Sequence, residues 1–253
     1  MEVSFFYPLF CFFVFFPFSF LRRISPYKVF DPQKLSPLLR VVSFLTTMSF
    51  FAFSVMKCAE EADLVFVLDT SGSITDENFE KQKNFVKALA SSFDPAATSH
   101  QLALMSYSGD AQIEVTFKNK TIQKDFEKAI DRVSHSKGRT RLDKALQLAS
   151  SQLFAASGGS RPSVRKVMIV LTDGRQSQDF DTVPLSVAVR PLRQLGVKIY
   201  AVAIGDEVDL GELNQITDSR DDVISVSDFD DLANMASDVA SKSCRVVALS
   251  PGK

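Results

Sequence analysis

The sequence predicts an α/β fold, a doubly wound and mostly parallel six-stranded sheet with one antiparallel edge strand and helices on both faces, in a Rossmann-like arrangement. Three observations lead there. From Asp63 onward, apolar runs of strand length alternate with segments of helical period. Two of those runs, 64–69 and 167–173, carry no polar alternation until their last residue, the signature of strands buried on both faces. An early Gly109-Asp110 between two strand-like runs signals a hairpin, and hence one antiparallel edge.

Taken in order, Leu64 to Asp69 reads as the first strand. Phe79, Gln82, Val86, Leu89 and Phe93 then recur at helical spacing, with Glu80, Lys81, Lys83 and Lys87 on the other side and Asp76 and Glu77 at the positive end. Gln101 to Ser108 and Ala111 to Phe117 form the hairpin strands. Helical period returns over 121–133 and 141–154, and Val167 to Asp173 is the fourth strand. A helix near 183–195, a strand over 197–205, a short helix around 210–217, a strand over 223–226 and a closing helix over 230–244 complete the pattern. In the acidic stretch 218–231, a solvated edge with a helix cap at Asp228 or Asp230 is expected rather than a calcium surface.

The front of the chain follows a different compositional rule. Of 23 Phe residues, 14 precede Cys58. Residues 1–57 read as a hydrophobic leader with two apolar stretches, 4–21 and 41–56, and the second resembles a signal-peptide core with small residues around Ala52. Alternatives for this unusual length are a start upstream of the true one or a membrane hairpin whose basic linker, 22–40, stays in the cytoplasm. Each puts the folded part, 60–245, outside the cytosol, followed by a short tail, 246–253. A membrane enters only through an uncleaved leader.

Residues 1–57 hold six Lys and Arg and two Asp and Glu, which leaves 23 basic and 28 acidic residues beyond, a net charge of −5. That balance disfavours nucleic acid, which needs a concentrated basic face. Cys58 and Cys244 bracket the domain. Free thiols are the alternative, but the leader favours a disulfide, worth roughly 4–5 kcal/mol in the chain-entropy model for so long a loop. Asn119-Lys120-Thr121 is a glycosylation sequon in a predicted turn, with Asn119 as the acceptor.

In open α/β sheets, ligands bind beyond the carboxyl ends of the strands where strand order reverses. Asp69 ends the first strand and Asp173 the fourth; if winding starts at the first and reverses after the third, the two carboxylates face each other there. Ser71 and Ser73 follow Asp69 at alternate positions. Ser73 as a helix cap accounts for one hydroxyl but leaves the two carboxylates unexplained. A phosphate loop would need a Gly-rich turn with a Lys, and a nucleophile elbow would need a partnered His, whereas His100 and His135 both fall in predicted loops and read as surface residues. An aspartyl phosphotransferase would carry a second carboxylate where Ser71 stands. A metal-assisted hydrolase lacks a general base, so no enzyme is expected. A hard divalent cation fits best: Mg²⁺ takes oxygen ligands and few carboxylates, and hydroxyl ligands leave it positive enough to accept an outside carboxylate.

Asp69-Thr70-Ser71-Gly72-Ser73, Leu171-Thr172-Asp173-Gly174 and 138–146 together resemble the von Willebrand factor type A domain, also called the integrin I domain, over about residues 60–245. The resemblance implies a metal-ion-dependent adhesion site (MIDAS) in which Asp69, Ser71, Ser73, Thr140 and Asp173 surround Mg²⁺, or Mn²⁺ or Ca²⁺ in its place. Leu142 stands where the family usually shows a second Thr, which affects fine geometry. The segment 205–209 is too short for the extra helix of integrin collagen binders, so the chain is closer to matrilin-like matrix members. The implied function is a secreted adhesion module binding a matrix protein such as collagen through an acidic ligand residue. The alternative is a structural scaffold of a collagenous or mineralised matrix that binds independently of the metal.

Overall fold

A computed structural model describes residues 61–93, 100–119 and 121–244, all inside one compact unit, Val55–Lys253. The leader and tail lie outside the described residues, and so does Cys58 of the expected Cys58–Cys244 bridge. Six strands, β1 (Ala62–Asp69), β2 (His100–Tyr107), β3 (Ala111–Val115), β4 (Arg165–Thr172), β5 (Val197–Ile204) and β6 (Val223–Val226), form one sheet in the order β3-β2-β1-β4-β5-β6. β1 runs parallel to both β2 and β4, and β2 and β3 pair antiparallel across the Ser108-Gly109-Asp110 loop. The chain winds outward from β1 to β3, returns beside β1 as β4, and winds outward again. The reversal therefore lies between β1 and β4, whose carboxyl ends carry Asp69 and Asp173.

The alternation of β1 divides the core in two. Leu64, Phe66 and Leu68 face a layer holding Phe79, Phe85 and Leu89 of α1 (Asp76–Ser91), Phe126 and Ile130 of α2 (Gln123–Arg132) and Leu232 and Val239 of α7 (Leu232–Cys244). The Phe66 ring lies 5.8 Å from that of Phe126 and 6.4 Å from that of Phe93. Val65 and Val67 face the opposite layer, built by Leu142 and Leu146 of α3 (Leu142–Leu148), Leu185 of α4 (Leu185–Ala188), Leu192 of α5 (Arg190–Gln194) and Leu213 of α6 (Leu210–Ile216). Removing a side chain as central as Phe66 costs about 3–5 kcal/mol in such cores. The site thus stands on the strands the core holds most firmly.

Several local expectations change. The helix expected over 183–195 divides into α4 and α5 because Pro191 has no N–H for the Val187 carbonyl. The helix expected over 141–154 passes from α3 into a π turn, Ala149–Leu153, where the Ser150 and Ser151 hydroxyls both donate to the Gln147 carbonyl and compete with its backbone partner. α1 is capped by Thr75, whose hydroxyl accepts from the Asn78 N–H at 3.2 Å, and not by Ser73. Neither histidine is a surface residue. His100 is buried at the start of β2, edge-on to Phe93 at 5.6 Å between ring centroids. The His135 ring stacks on Phe79 at 4.8 Å. In the acidic stretch, Asp228 does cap the turn before α7, accepting from the N–H groups of Asp230 and Asp231.

Candidate metal centre

Beyond the end of β1, the chain turns through 70–75 before entering α1. Asp69 folds back on its own loop: its Oδ1 accepts the Ser71 N–H at 2.8 Å. Its other oxygen, Oδ2, lies 3.0 Å from the Tyr107 hydroxyl and 3.1 Å from Thr172 Oγ1. Ser71 Oγ and Ser73 Oγ are 3.1 Å apart, and Ser73 Oγ donates to Asp173 Oδ1 at 2.8 Å. Four of the expected residues therefore form one hydrogen-bonded chain that spans β1 and β4. Ser73 is unavailable as a helix cap because its hydroxyl turns toward Asp173.

The fifth residue arrives on a second loop. Ser71 and Gly138 form an isolated parallel bridge, with Gly72 N–H donating to the Gly138 carbonyl at 2.9 Å and Lys137 N–H to the Thr70 carbonyl at 2.8 Å. Two residues on, Thr140 is held from the third loop: its N–H donates to Ser177 Oγ at 3.0 Å and its carbonyl accepts the Ser177 N–H at 2.8 Å. A Cβ placed on Gly174 would lie 3.8 Å from Ser73 Oγ and 3.9 Å from Thr140 Oγ1. Gly174 thus keeps clear the space those two hydroxyls border.

Electrostatics set the character of the site. Burial raises the Asp69 carboxyl to about 6, against the lowering effect of its hydrogen bonds to Ser71, and the nearby Asp173 adds repulsion. Burial also raises Asp173, opposed by the Ser73 hydroxyl. The Tyr107 phenol is pushed up as well, by burial first and then by Asp69. Among the described residues no Lys, Arg or His forms an ion pair with either aspartate, and no three His, Cys, Asp or Glu side chains cluster as a metal set. The site can hold an ion only by combining carboxylates with hydroxyls. Two repelling carboxylates, hydroxyls at alternate positions and a clear space at Gly174 suit a hard divalent cation with oxygen ligands.

Sequence reasoning missed the supports. Tyr107 is paired with Asp69 in the β1–β2 register, so the strand order would have pointed to it. Arg141 and Asp143, a buried pair at 2.9 Å, and Gln176 lock the second loop to the third: Gln176 Nε2 donates to Asp143 Oδ1 at 2.6 Å and its Oε1 accepts the Leu142 N–H at 2.9 Å. Nothing in the spacing of these residues marks them. His135 braces the first loop, with Nε2 3.1 Å from the Ser71 carbonyl and Nδ1 2.8 Å from Asp76 Oδ1. Asn119 sits exposed in a short 3-10 turn, Phe117–Asn119, its side-chain carbonyl accepting the Thr116 hydroxyl at 2.6 Å.

A doubly wound six-stranded sheet with an Asp-x-Ser-x-Ser loop at its reversal point defines an α/β module of the type A kind. The chain belongs to the von Willebrand factor type A domain family, whose model matches residues 63–238. It is 36% identical over 194 residues to mouse collagen alpha-6(VI) chain, covering 74% of this chain and 8% of that one. It is 32% identical over 187 residues to chicken matrilin-1, covering 72% of this chain and 36% of that protein, and 32% identical over 190 residues to Caenorhabditis elegans cuticlin-6, covering 75% and 32%. The chain thus spans only a small part of the length of these relatives. Among solved structures, proximal thread matrix protein 1 from the mussel byssus matches at 24% identity with a TM-score of 0.70, over 74% of this chain and 49% of that one. Another structure of that protein has a zinc-occupied MIDAS motif. At that identity the structural likeness supports the fold. The collagen VI, matrilin and cuticlin relatives are extracellular matrix proteins, and this chain is assigned to the same compartment. Among the described residues no helix is long and apolar enough to cross a membrane.

Proposed function

We propose that the domain is a cation-dependent adhesion module of the extracellular matrix, binding a matrix protein such as collagen through an acidic side chain of that partner. The observation that carries this reading is the continuous chain from Asp69 through Ser71 and Ser73 to Asp173, with Thr140 across the clear space at Gly174. Asp69, Ser71, Ser73, Thr140 and Asp173 would hold Mg²⁺ or a similar ion. When bound, the cation supplies a positive centre for an external carboxylate. The protein's part is to aim the hydroxyls, to keep Asp69 desolvated, and to fix the three loops so that little order is lost on docking. No side chain beside the site is placed as a general base. Asp76, an exposed acid at the start of α1, is occupied by His135 and by Lys137 at 2.9 Å.

Calorimetric titration with Mg²⁺ and Mn²⁺, together with binding to immobilised fibrillar collagen in Mg²⁺, in chelator and after Asp69→Ala, tests the proposal. Uptake near one ion per domain and collagen binding lost in both latter conditions are expected. Collagen binding that survives chelator and substitution alike would make the domain a metal-independent scaffold.

A further inference from the structure

Asn119-Lys120-Thr121 is the one Asn-x-Ser/Thr triplet in the chain, and the cation site makes no use of it. Its two ends behave differently in the fold. Asn119 is exposed in the 3-10 turn, where its backbone N–H donates to the Thr116 carbonyl at 3.2 Å and its side-chain carbonyl accepts the Thr116 hydroxyl. That bond uses the side-chain oxygen and leaves the amide nitrogen free among the described residues. Thr121 is the reverse: its Oγ1 is buried and meets no hydrogen-bond partner among the described residues. Nor does it cap the helix it precedes, since α2 starts from an Ile122 N-cap without a side-chain bond. A buried hydroxyl with no partner opposes folding, and a Val would fill nearly the same space without that cost. The Thr121 hydroxyl therefore serves nothing in the folded domain, and its use lies before folding.

The register places Asn119 toward the far end of the sheet. β3 starts with Ala111 beside Tyr107, which is level with Asp69, and runs the other way until Val115 is level with Leu104 and Phe66. That is roughly 10 Å below the strand end that carries Asp69. The chain continues away from there: a Cβ on Gly159 would lie 2.9 Å from the Lys118 nitrogen, and the adjoining Ser160 and Arg161 bond Asp63 at the start of β1. Asn119 thus stands on the β3 edge, toward the amino ends of the strands. A bulky hydrophilic group there is clear of the loops 70–75, 136–140 and 174–182 at the carboxyl ends.

From an exposed Asn119 followed two residues later by a buried hydroxyl that the fold does not use, we infer that Asn119 carries an N-linked oligosaccharide attached before the domain folds. The sequon needs that hydroxyl at the moment of transfer, and the extracellular compartment assigned above takes the chain past the enzymes that make this linkage. In the step, the Asn119 amide nitrogen bonds the anomeric carbon of an oligosaccharide carried on a polyprenyl diphosphate. The bond from that carbon to the diphosphate oxygen breaks, the diphosphate leaves with the electron pair, and one amide proton is released; nothing is oxidised or reduced. The modified side chain keeps its carbonyl for Thr116 and one N–H, so the turn can form as it stands. For the test, the full chain is secreted from cultured animal cells as wild type, Asn119→Gln, Thr121→Val and Thr121→Ser. Each is treated with peptide-N-glycosidase in heavy-oxygen water, which hydrolyses the linkage and leaves an isotope-marked aspartate at the carrier position. Wild type and Thr121→Ser should lose the mass of one oligosaccharide and carry the mark at 119, whereas Asn119→Gln and Thr121→Val should lose nothing. Unmodified Thr121→Val made in bacteria should melt no lower than unmodified wild type. Microsomal membranes with a lipid-linked donor should modify a synthetic peptide of residues 112–126 and leave the folded, unmodified chain untouched. Wild type without a glycan, or a glycan that persists in Thr121→Val, overturns the modification. A Thr121→Val chain that melts below wild type, or a folded chain modified as readily as the peptide, overturns attachment before folding.

Discussion

Asp69 carries the largest electrostatic cost in the site. Its carboxyl titrates near 6, where an ordinary aspartate titrates near 4, because burial at the end of β1 disfavours the charged form more than the Ser71 bonds favour it. Between those two values the folded protein keeps a proton that the unfolded chain has released, so stability falls as pH rises through that window and levels off above it. The shift corresponds to about 3 kcal/mol of stability missing at neutral pH in the ion-free domain. Asp69→Asn, which retains a side-chain oxygen for the Ser71 N–H, is therefore expected to raise the ion-free melting temperature at pH 7 while abolishing Mg²⁺ uptake. In wild type, Mg²⁺ affinity should fall by about tenfold for each pH unit below 6, since the ion must displace one proton. Paired melting and calorimetric series from pH 4.5 to 8 check both; an Asp69→Asn domain that loses as much stability as wild type between pH 4.5 and 7 would deny Asp69 this role. Asp69, Ser71, Ser73 and Asp173 could be singled out because strand ends and alternate hydroxyls are sequence features, whereas Thr140 entered only through the family resemblance. Tyr107 was not legible, since its phenol reaches Asp69 only once β2 lies beside β1.

Loops and helix ends translate those residues into a shape. The strands could be read from apolar runs because β1, β2, β4 and β5 are buried almost throughout, leaving no alternation to confuse with helix. Boundaries that depend on competition for one hydrogen bond were harder. Thr75 rather than Ser73 caps α1 because Ser73 is drawn to Asp173; Pro191 splits a helix whose apolar period runs on; and His135 leaves the surface because Phe79 offers a ring to stack on. The close approach of two loops is equally invisible in sequence. A Cβ on Gly138 would meet the Gly109 nitrogen at 2.8 Å and Ser108 Oγ at 2.9 Å, so Gly138→Ala must push the second loop away from the β2–β3 turn. With Thr140 two residues downstream, the expected result is a loss of about 1–3 kcal/mol of stability and weaker Mg²⁺ uptake together. Chemical denaturation and calorimetry on the same variant measure them, and unchanged uptake would mean that Thr140 does not depend on this contact.

Across the whole molecule, the site joins its best-protected and least-protected parts. β1 and β4 lie at the centre of the sheet with helical layers on both sides, so their amides should exchange with solvent only on global unfolding. The loops 70–75 and 174–182 follow those strand ends, and 136–140, between α2 and α3, is joined to them by bonds that cross from loop to loop. A cation held by Asp69, Ser71, Ser73, Thr140 and Asp173 would tie the three loops to one point and offset the repulsion between the two aspartates. It would stabilise the folded state by about 2.7 kcal/mol at a hundred times its dissociation constant. Hydrogen exchange followed by mass spectrometry, with and without saturating Mg²⁺, should therefore show slower exchange concentrated in the three loops. Slowing in β1 and β4 should be no greater than the rise in global stability, and neither change should occur in Asp69→Ala. Protection spread evenly over the helices, or loops that exchange alike with and without Mg²⁺, would mean that the loops are held by their hydrogen bonds alone. The convergence of five oxygens would then be a structural bracket.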